Sequence, residues 1–346
     1  MSALRVLVLE AQTPFVHGGA EILVRQLAAA LRDHGHEADI VSLPFRSLPH
    51  AALLSHAAAW RLVDVTRALD RDVDRVIATK FPTYFASHPH KVAWLVHQHR
   101  AAYELCGTPY SDFAHTAEDV GIRKRLIELD TEMLRECRGL FSIARTVSAR
   151  VEKYNGLAAT PLHHPPKLAP RLRSGPYGDY ILAVTRLEPI KRVALAVEAF
   201  QRVDAPMRLI VAGDGSARAD LEQQIEQLGL RGRVVLQGRV SDEELIDLYA
   251  GARGILFAPY DEDYGYVTLE AFLARKPVIT ATDSGGTLEF VTDGVNGCVV
   301  EPAADALAGA INRLAADARL AGSLGDAGYE RARQVTWTGV VEQLLG

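Results

Sequence analysis

The chain has 346 residues, is 48% hydrophobic and 23% charged, and carries a formal net charge of −5. The length exceeds one typical core and predicts two domains of roughly 170 residues each. The charge excludes a general attraction for nucleic acid or an anionic membrane, so any phosphate partner has to be held by a few placed cations or helix ends.

The amino terminus, MSALRVLVLEA, has an apolar run of only about five residues and reads as a first strand, not a signal peptide. No stretch reaches the roughly 18 apolar residues of a membrane span. Cys106, Cys137 and Cys298 form no CxxC pair and are too few for a disulfide framework. The expected location is the cytoplasm, with peripheral contact at the inner membrane face also compatible.

RVLVLEA (5–11) is followed by a Gly-Gly turn and a helix over 20–35. EADIVSL, VDRVIAT, KVAWLVH and GLFSIA (139–144) read as further strands, and SARVEKYNG as a helix ending in Asn-Gly. Uninterrupted apolar strands alternating with helices predict a parallel sheet covered on both faces. Residues 161–178 hold five prolines and two glycines and read as a linker.

The pattern then restarts. DYILAVT is a strand, a helix begins near Ile190, MRLIVAG is a strand and a helix runs over 217–228. RVVLQG precedes SDEELIDLYAGA, where Ser241 and Glu244 form a capping box. GILFAP, KPVITA and GCVVEP are later strands, and Asp317–Gly346 is helical in pattern and carries Trp337. The fold class is α/β: two doubly wound Rossmann-like domains, 1–165 and 176–328, facing a shared cleft at their carboxyl strand ends. A final helix over about 329–346 is placed to return to the first domain.

The strand-to-helix junctions are where chemistry can sit. Gly18 and Gly19 open the first helix and offer backbone N–H groups. In TRLEPIKR, Arg186 leaves a strand and Lys191 and Arg192 enter a helix. Helix N-termini prefer anions, so these cations call for a bound anion such as a diphosphate. In VAGDGSARADLE, Gly213 and Gly215 mark a tight turn before a helix capped by Ser216; TDSGGTLEF uses Gly285 and Gly286 in a similar way.

The stretch DEDYGYVTLEAF (261–272) holds Glu262 and Glu270 eight positions apart. With a helix starting near Gly265–Tyr266, the amides of Gly265, Tyr266, Val267 and Thr268 can meet phosphate oxygens. Glu270 can accept from a ribose hydroxyl, and Glu262 lies in the loop near whatever the phosphate carries. One element thus touches three parts of a nucleotide sugar.

EDYGYVTLEA resembles the E-x7-E signature of retaining GT-B glycosyltransferases of family 4 (glycosyl transferases group 1). GGAE (18–21), TRLEPIKR, VAGDGSARADLE, GRVSDEELIDLYAGA and DSGGTLEFVTDGVNGCVVEP are similar to other blocks of that family, in its order. The resemblance implies a GT-B fold and transfer of a hexose-type sugar from a UDP-, GDP- or dTDP-sugar to a saccharide, lipid-linked or small-molecule hydroxyl. Configuration would be retained, without metal or cofactor, in surface polysaccharide, glycolipid or glycoside biosynthesis. It implies that Arg186 and Lys191 bind the diphosphate, with the Gly18–Gly19 loop closing over it, and that Glu270 binds the ribose. Glu262 would bind the sugar near its reacting carbon, Gly238, Arg239 and Val240 would lie near the base, and His97 would line the sugar site, with His99 as rival. The sequence departs from the family pattern at Asp263, Tyr264, Tyr266, Thr185 and Arg192.

The acceptor is expected on the first domain, at 79–90 and 98–113, where Tyr84, His99 and Arg100 offer stacking and polar groups. DRD (70–72), DVD (72–74) and DED (261–263) match a short metal-binding pattern that recurs by chance, and HHPP (163–166) is a poor chelator, so no metal is expected. Two alternatives use the same donor: a nucleotide-sugar epimerase of this fold, which needs no acceptor, and a non-catalytic nucleotide-sugar-binding protein, whose mark would be damage at Glu262, Lys191 or Arg186. A nicotinamide-dependent oxidoreductase is disfavoured by the missing GxGxxG.

Overall fold

The computed structural model describes residues 3–15 and 18–346. The chain forms two units: Met1–His164 with Thr336–Gly346, and Pro165–Val335.

The first unit runs β1 (Arg5–Gln12), α1 (Gly19–Asp33), β2 (Glu37–Pro44), α2 (Ala51–Leu62), β3 (Arg67–Ala68), β4 (Arg71–Asp72), β5 (Arg75–Ala78), β6 (Lys91–Leu95), α3 (Ala117–Arg135), β7 (Gly139–Ser142), α4 (Arg145–Asn155) and β8 (Thr160–Pro161). Six strands form a parallel sheet in the order β2-β1-β5-β6-β7-β8. α1 buries Leu23, Val24, Leu27, Ala28 and Leu31, the three-and-four spacing of a helix with one apolar face. α4 ends at Gly156 with φ 63°, a left-handed stop that glycine takes at little cost. The acidic 70–74 stretch lies in and after the exposed hairpin β3–β4.

The last helix, α11 (Trp337–Leu345), belongs to this unit. It buries Val340, Val341, Leu344 and Leu345. Trp337 meets Trp94 edge-on at 6.1 Å, and Arg75 donates to the Leu345 carbonyl at 2.9 Å.

The second unit runs β9 (Tyr180–Val184), α5 (Val193–Ala199), β10 (Arg208–Ala212), α6 (Arg218–Gln227), β11 (Val234–Gly238), α7 (Asp242–Gly251), β12 (Gly254–Leu256), α8 (Tyr266–Leu273), β13 (Val278–Ala281), β14 (Gly297–Val300), α9 (Ala304–Ala316) and α10 (Ala318–Ala332). Its sheet is parallel, in the order β11-β10-β9-β12-β13-β14. Both units are therefore Rossmann-like, as expected. The strand order reverses between β9 and β12, and ligands of such sheets bind beyond the carboxyl ends of the strands at that reversal.

Three local readings change. The segment at 189–191 is a 3-10 turn and α5 starts only at Val193. Gly285–Glu289 is a 3-10 turn, not an α-helix. Ser216 does not cap α6, whose N-cap is Ala217; its hydroxyl donates to Glu188 at 2.9 Å. The proline-rich segment after His164 lies along α7: Lys167 pairs with Asp242, Arg171 with Glu243 and Arg173 with Asp247. Acids in the first turn of α7 suit its dipole and also serve as anchors.

Candidate functional site

The loops that follow β9 and β12 meet at the strand-order reversal of the second unit. Tyr260 donates its amide to the Ile190 carbonyl at 2.9 Å. Lys191, from the first loop, pairs with Glu262, from the second. Both side chains are about 15% exposed, 15% for Lys191 and 16% for Glu262, so the pair is reachable from solvent. The Lys191 ammonium also stands 5.9 Å from the Phe257 ring centroid, a favourable cation–ring geometry.

A third loop, after β13, supports the second. Gly286 donates to the Glu262 carbonyl at 2.7 Å and Asp261 to the Asp283 carbonyl at 2.9 Å. A Cβ on Gly286 would lie 2.3 Å from the Asp263 carbonyl oxygen, and one on Gly285 2.5 Å from that of Glu262. Glycine is required at both because backbone lies against backbone. The turn at 213–215 supports the first loop in the same way: a Cβ on Gly213 would fall 1.8 Å from the Thr185 carbonyl oxygen.

The cations do not stand at an unanswered helix end, contrary to the sequence-based expectation. Lys191 has Glu262, and Arg192 makes a two-pronged pair with Asp283 at 2.7 and 2.6 Å. The protein supplies both counter-anions. Arg186 differs: it is exposed, and its guanidinium has no hydrogen-bond or ion-pair partner among the described residues.

Gly265 is the N-cap of α8, and its φ of 78° is left-handed. Thr268 already donates its amide to the Gly265 carbonyl at 2.9 Å, which removes it from the expected set of ligand-facing amides. The amides of Gly265 and Val267 have no acceptor among the described residues, so the helix start keeps donors for an anion. A Cβ at Gly265 would come within 2.9 Å of Thr287 Oγ1 and 3.5 Å of Thr268 Oγ1. Both hydroxyls are buried and unpartnered.

Glu270 sits one turn further along α8, half-buried. Its Oε2 accepts from the buried Tyr249 hydroxyl at 2.8 Å. Burial raises the Glu270 carboxyl above its ordinary value, and the Tyr249 hydrogen bond opposes that rise. Gly238 ends β11 with φ 80° and accepts from Gly213 at 2.8 Å. Arg239 beside it is exposed, 3.8 Å from Asp214, and Val240 is half-buried.

In the first unit, Gly18 is the N-cap of α1, but its amide donates to Glu21 at 2.9 Å. It is not a free donor, unlike the expectation for the Gly18–Gly19 pair. Glu21 also pairs with Lys80 at 2.9 Å, and both are largely buried.

One expected acceptor residue is corrected. Tyr84 is fully buried and packs on Phe81 and Phe85; it is core, since burial hides its ring from any ligand. Arg100 pairs with Glu104, which also takes Arg150 at 3.2 Å, so its charge is matched internally. His97 directs Nδ1 to the Gln98 carbonyl at 2.5 Å. His99 stands among Phe45, Phe81 and Phe113, with ring centroids at 6.3, 5.8 and 6.0 Å. Burial there lowers its pKa to about 4, so it is neutral near pH 7.

No group of metal-ligating side chains occurs among the described residues, and none of their helices is long and apolar enough to cross a membrane.

Sequence reasoning missed Tyr249 and Asp283. Only the Arg in the place of a family glycine hinted that something unusual follows Lys191.

Residues 170–331 match the family described as Glycosyl transferases group 1. The second unit is a glycosyl transferases group 1 domain. An uncharacterized glycosyltransferase of Methanocaldococcus jannaschii is 26% identical over 343 residues, 88% of this chain and 87% of that protein. Alpha-D-kanosaminyltransferase of Streptomyces kanamyceticus is 33% identical over 144 residues, 40% of this chain and 37% of that protein. Among solved structures, sucrose-phosphate synthase of Thermosynechococcus elongatus superposes with a TM-score of 0.76 at 19% identity, covering 98% of this chain and 97% of that one. Anabaena HepE, solved with UDP and glucose, does so with a TM-score of 0.73 at 18% identity, covering 99% and 98%. The fold of this chain is GT-B.

Proposed function

We propose that this glycosyltransferase moves a sugar from a nucleoside diphosphate to an acceptor hydroxyl with retained configuration and without metal, in glycan or glycoside biosynthesis. The observation that carries this reading is the meeting of Lys191 and Glu262 at the strand-order reversal, on the two loops that also carry the exposed Arg186 and lead into the amides of Gly265 and Val267.

A donor answers every group there. Its diphosphate draws Lys191 from Glu262 and engages Arg186 and the helix start. Glu262 is then released to accept from sugar hydroxyls, and Glu270 accepts from the ribose. Gly238, Arg239 and Val240 flank the base. The bond from the anomeric carbon to the diphosphate oxygen breaks, and its electron pair leaves with the phosphate. The acceptor oxygen bonds to that carbon on the same face, and the departing phosphate takes the acceptor proton. The transition state resembles an oxocarbenium ion. Cations and amides fixed in advance around the growing phosphate charge are commonly the largest catalytic contribution. His97 and His99 are assigned to the sugar and acceptor side. The HepE complexes with UDP and UDP-glucose make UDP-sugars the first donors to try.

Thermal-shift and calorimetric titration with UDP-, GDP- and dTDP-sugars tests the reading, because a bound donor raises apparent stability. Lys191→Ala and Arg186→Ala each remove a charge-assisted contact worth about 1.5–3 kcal/mol, which lowers kcat/KM roughly 10–100-fold. Wild-type kinetics in both variants would sink the assignment. Activity lost in EDTA and restored by Mn²⁺ would replace the metal-free mechanism.

A further inference from the structure

The residue after Lys191 is arginine in a left-handed backbone conformation, φ 54°. That region favours glycine, and a long side chain stays there only when its surroundings hold it. Here they do. The guanidinium grips Asp283 with two hydrogen bonds, 2.7 and 2.6 Å. It also lies over the Tyr260 ring, 5.0 Å from the centroid. Arg192 is mostly buried, its side chain 16% exposed.

Arg192 and its two partners belong to three loops. Arg192 itself follows Lys191 in the loop after β9. Tyr260 opens the acidic loop after β12. Asp283 lies in the loop after β13, which carries the acidic loop on its backbone. The backbone bonds from Tyr260 to Ile190, Asp261 to Asp283 and Gly286 to Glu262 run between the same three loops. The Arg192 side chain reaches across all three.

We infer that Arg192 is a positioning residue for the donor site. With Asp283 and Tyr260 it sets the distance between the Lys191 ammonium and the Glu262 carboxylate, and so the spacing between diphosphate and sugar. The inference rests on the proposed donor site. A planar fork fits this task better than a lysine, because two parallel hydrogen bonds fix orientation as well as distance. Small displacements of groups that hold a reacting substrate cost much more in rate than in stability.

Arg192→Gly separates the two effects. Glycine relieves the left-handed strain while the ion pair is lost, so the melting temperature stays near that of wild type. Donor binding does not. UDP, GDP and dTDP are titrated into wild type by calorimetry, and the tightest binder is carried into the variants. The expected loss in affinity is about 5- to 20-fold for Arg192→Gly and for Asp283→Ala, with the double variant no weaker than either single one, because paired residues act as a unit. Arg192→Lys keeps the charge without the fork and falls between. Unchanged nucleotide affinity in Arg192→Gly, or losses that add in the double variant, overturns the inference and leaves the donor site standing. Failure of wild type to bind any of the three nucleotides overturns the donor site, and the inference with it.

Discussion

Tyr249→Phe isolates one hydroxyl. That hydroxyl is fully buried and donates to Glu270 at 2.8 Å. No other hydrogen bond to the Glu270 carboxylate occurs among the described residues. A hydrogen bond to a charged group is worth about 1.5–3 kcal/mol. Taking the lower end, loss of orientation at Glu270 raises donor KM about tenfold. The pH profile gives a second readout. Burial raises the Glu270 pKa and Tyr249 holds it down. Without the hydroxyl the pKa rises further, so the carboxylate protonates at higher pH as acid is added. The acid limb of kcat/KM therefore moves to higher pH in the variant. Steady-state kinetics with the identified donor across about pH 5–8, the range in which folded proteins are usually most stable, measures both. An unchanged donor KM with a superimposable pH profile would refute the role given to Tyr249 and the ionised form assumed for Glu270.

Gly286→Ala places a Cβ 2.3 Å from the Asp263 carbonyl oxygen; overpacking of that kind costs about 1–3 kcal/mol, and donor KM should rise because Glu262 moves. Gly309→Ala in α9 meets nothing within 4 Å and should gain roughly 0.5–1 kcal/mol; equal melting temperatures for the two variants would contradict the close approach. His164 is fully buried, and burial lowers its pKa from 6.5 to about 3. The unfolded chain binds its proton first, so this contribution is complete above pH 6.5 and is lost as pH falls below it; at pH 5 the loss is about 2 kcal/mol. His164→Leu removes that dependence, and parallel melting curves for wild type and variant between pH 7 and 5 would count against it.

Much of this protein could be read from its residues alone. Strand and helix periods in RVLVLEA, DYILAVT and MRLIVAG determine parallel sheets, because apolar runs of that length need cover on both faces. Ser241 with Glu244 determines the start of α7 through local hydrogen bonds. The spacing of Glu262 and Glu270 placed two carboxylates on one loop and helix. Such signals survive in one dimension because their partners are near in sequence.

Tertiary structure decided what those groups touch. Lys191 was read against a helix dipole, yet its partner is a carboxylate 71 positions away; Arg192 finds Asp283 at 91 positions. Tyr84, expected to face an acceptor, is buried where its turn packs against α2 and α3. Arg100, expected to offer its charge to an acceptor, pairs with Glu104 in the fold. Strand order brings the loops after β9 and β12 together, and no local pattern states strand order. Sequence set the inventory of charges, while packing set which charges neutralise one another, because that depends on distances the chain acquires only when its strands are in register.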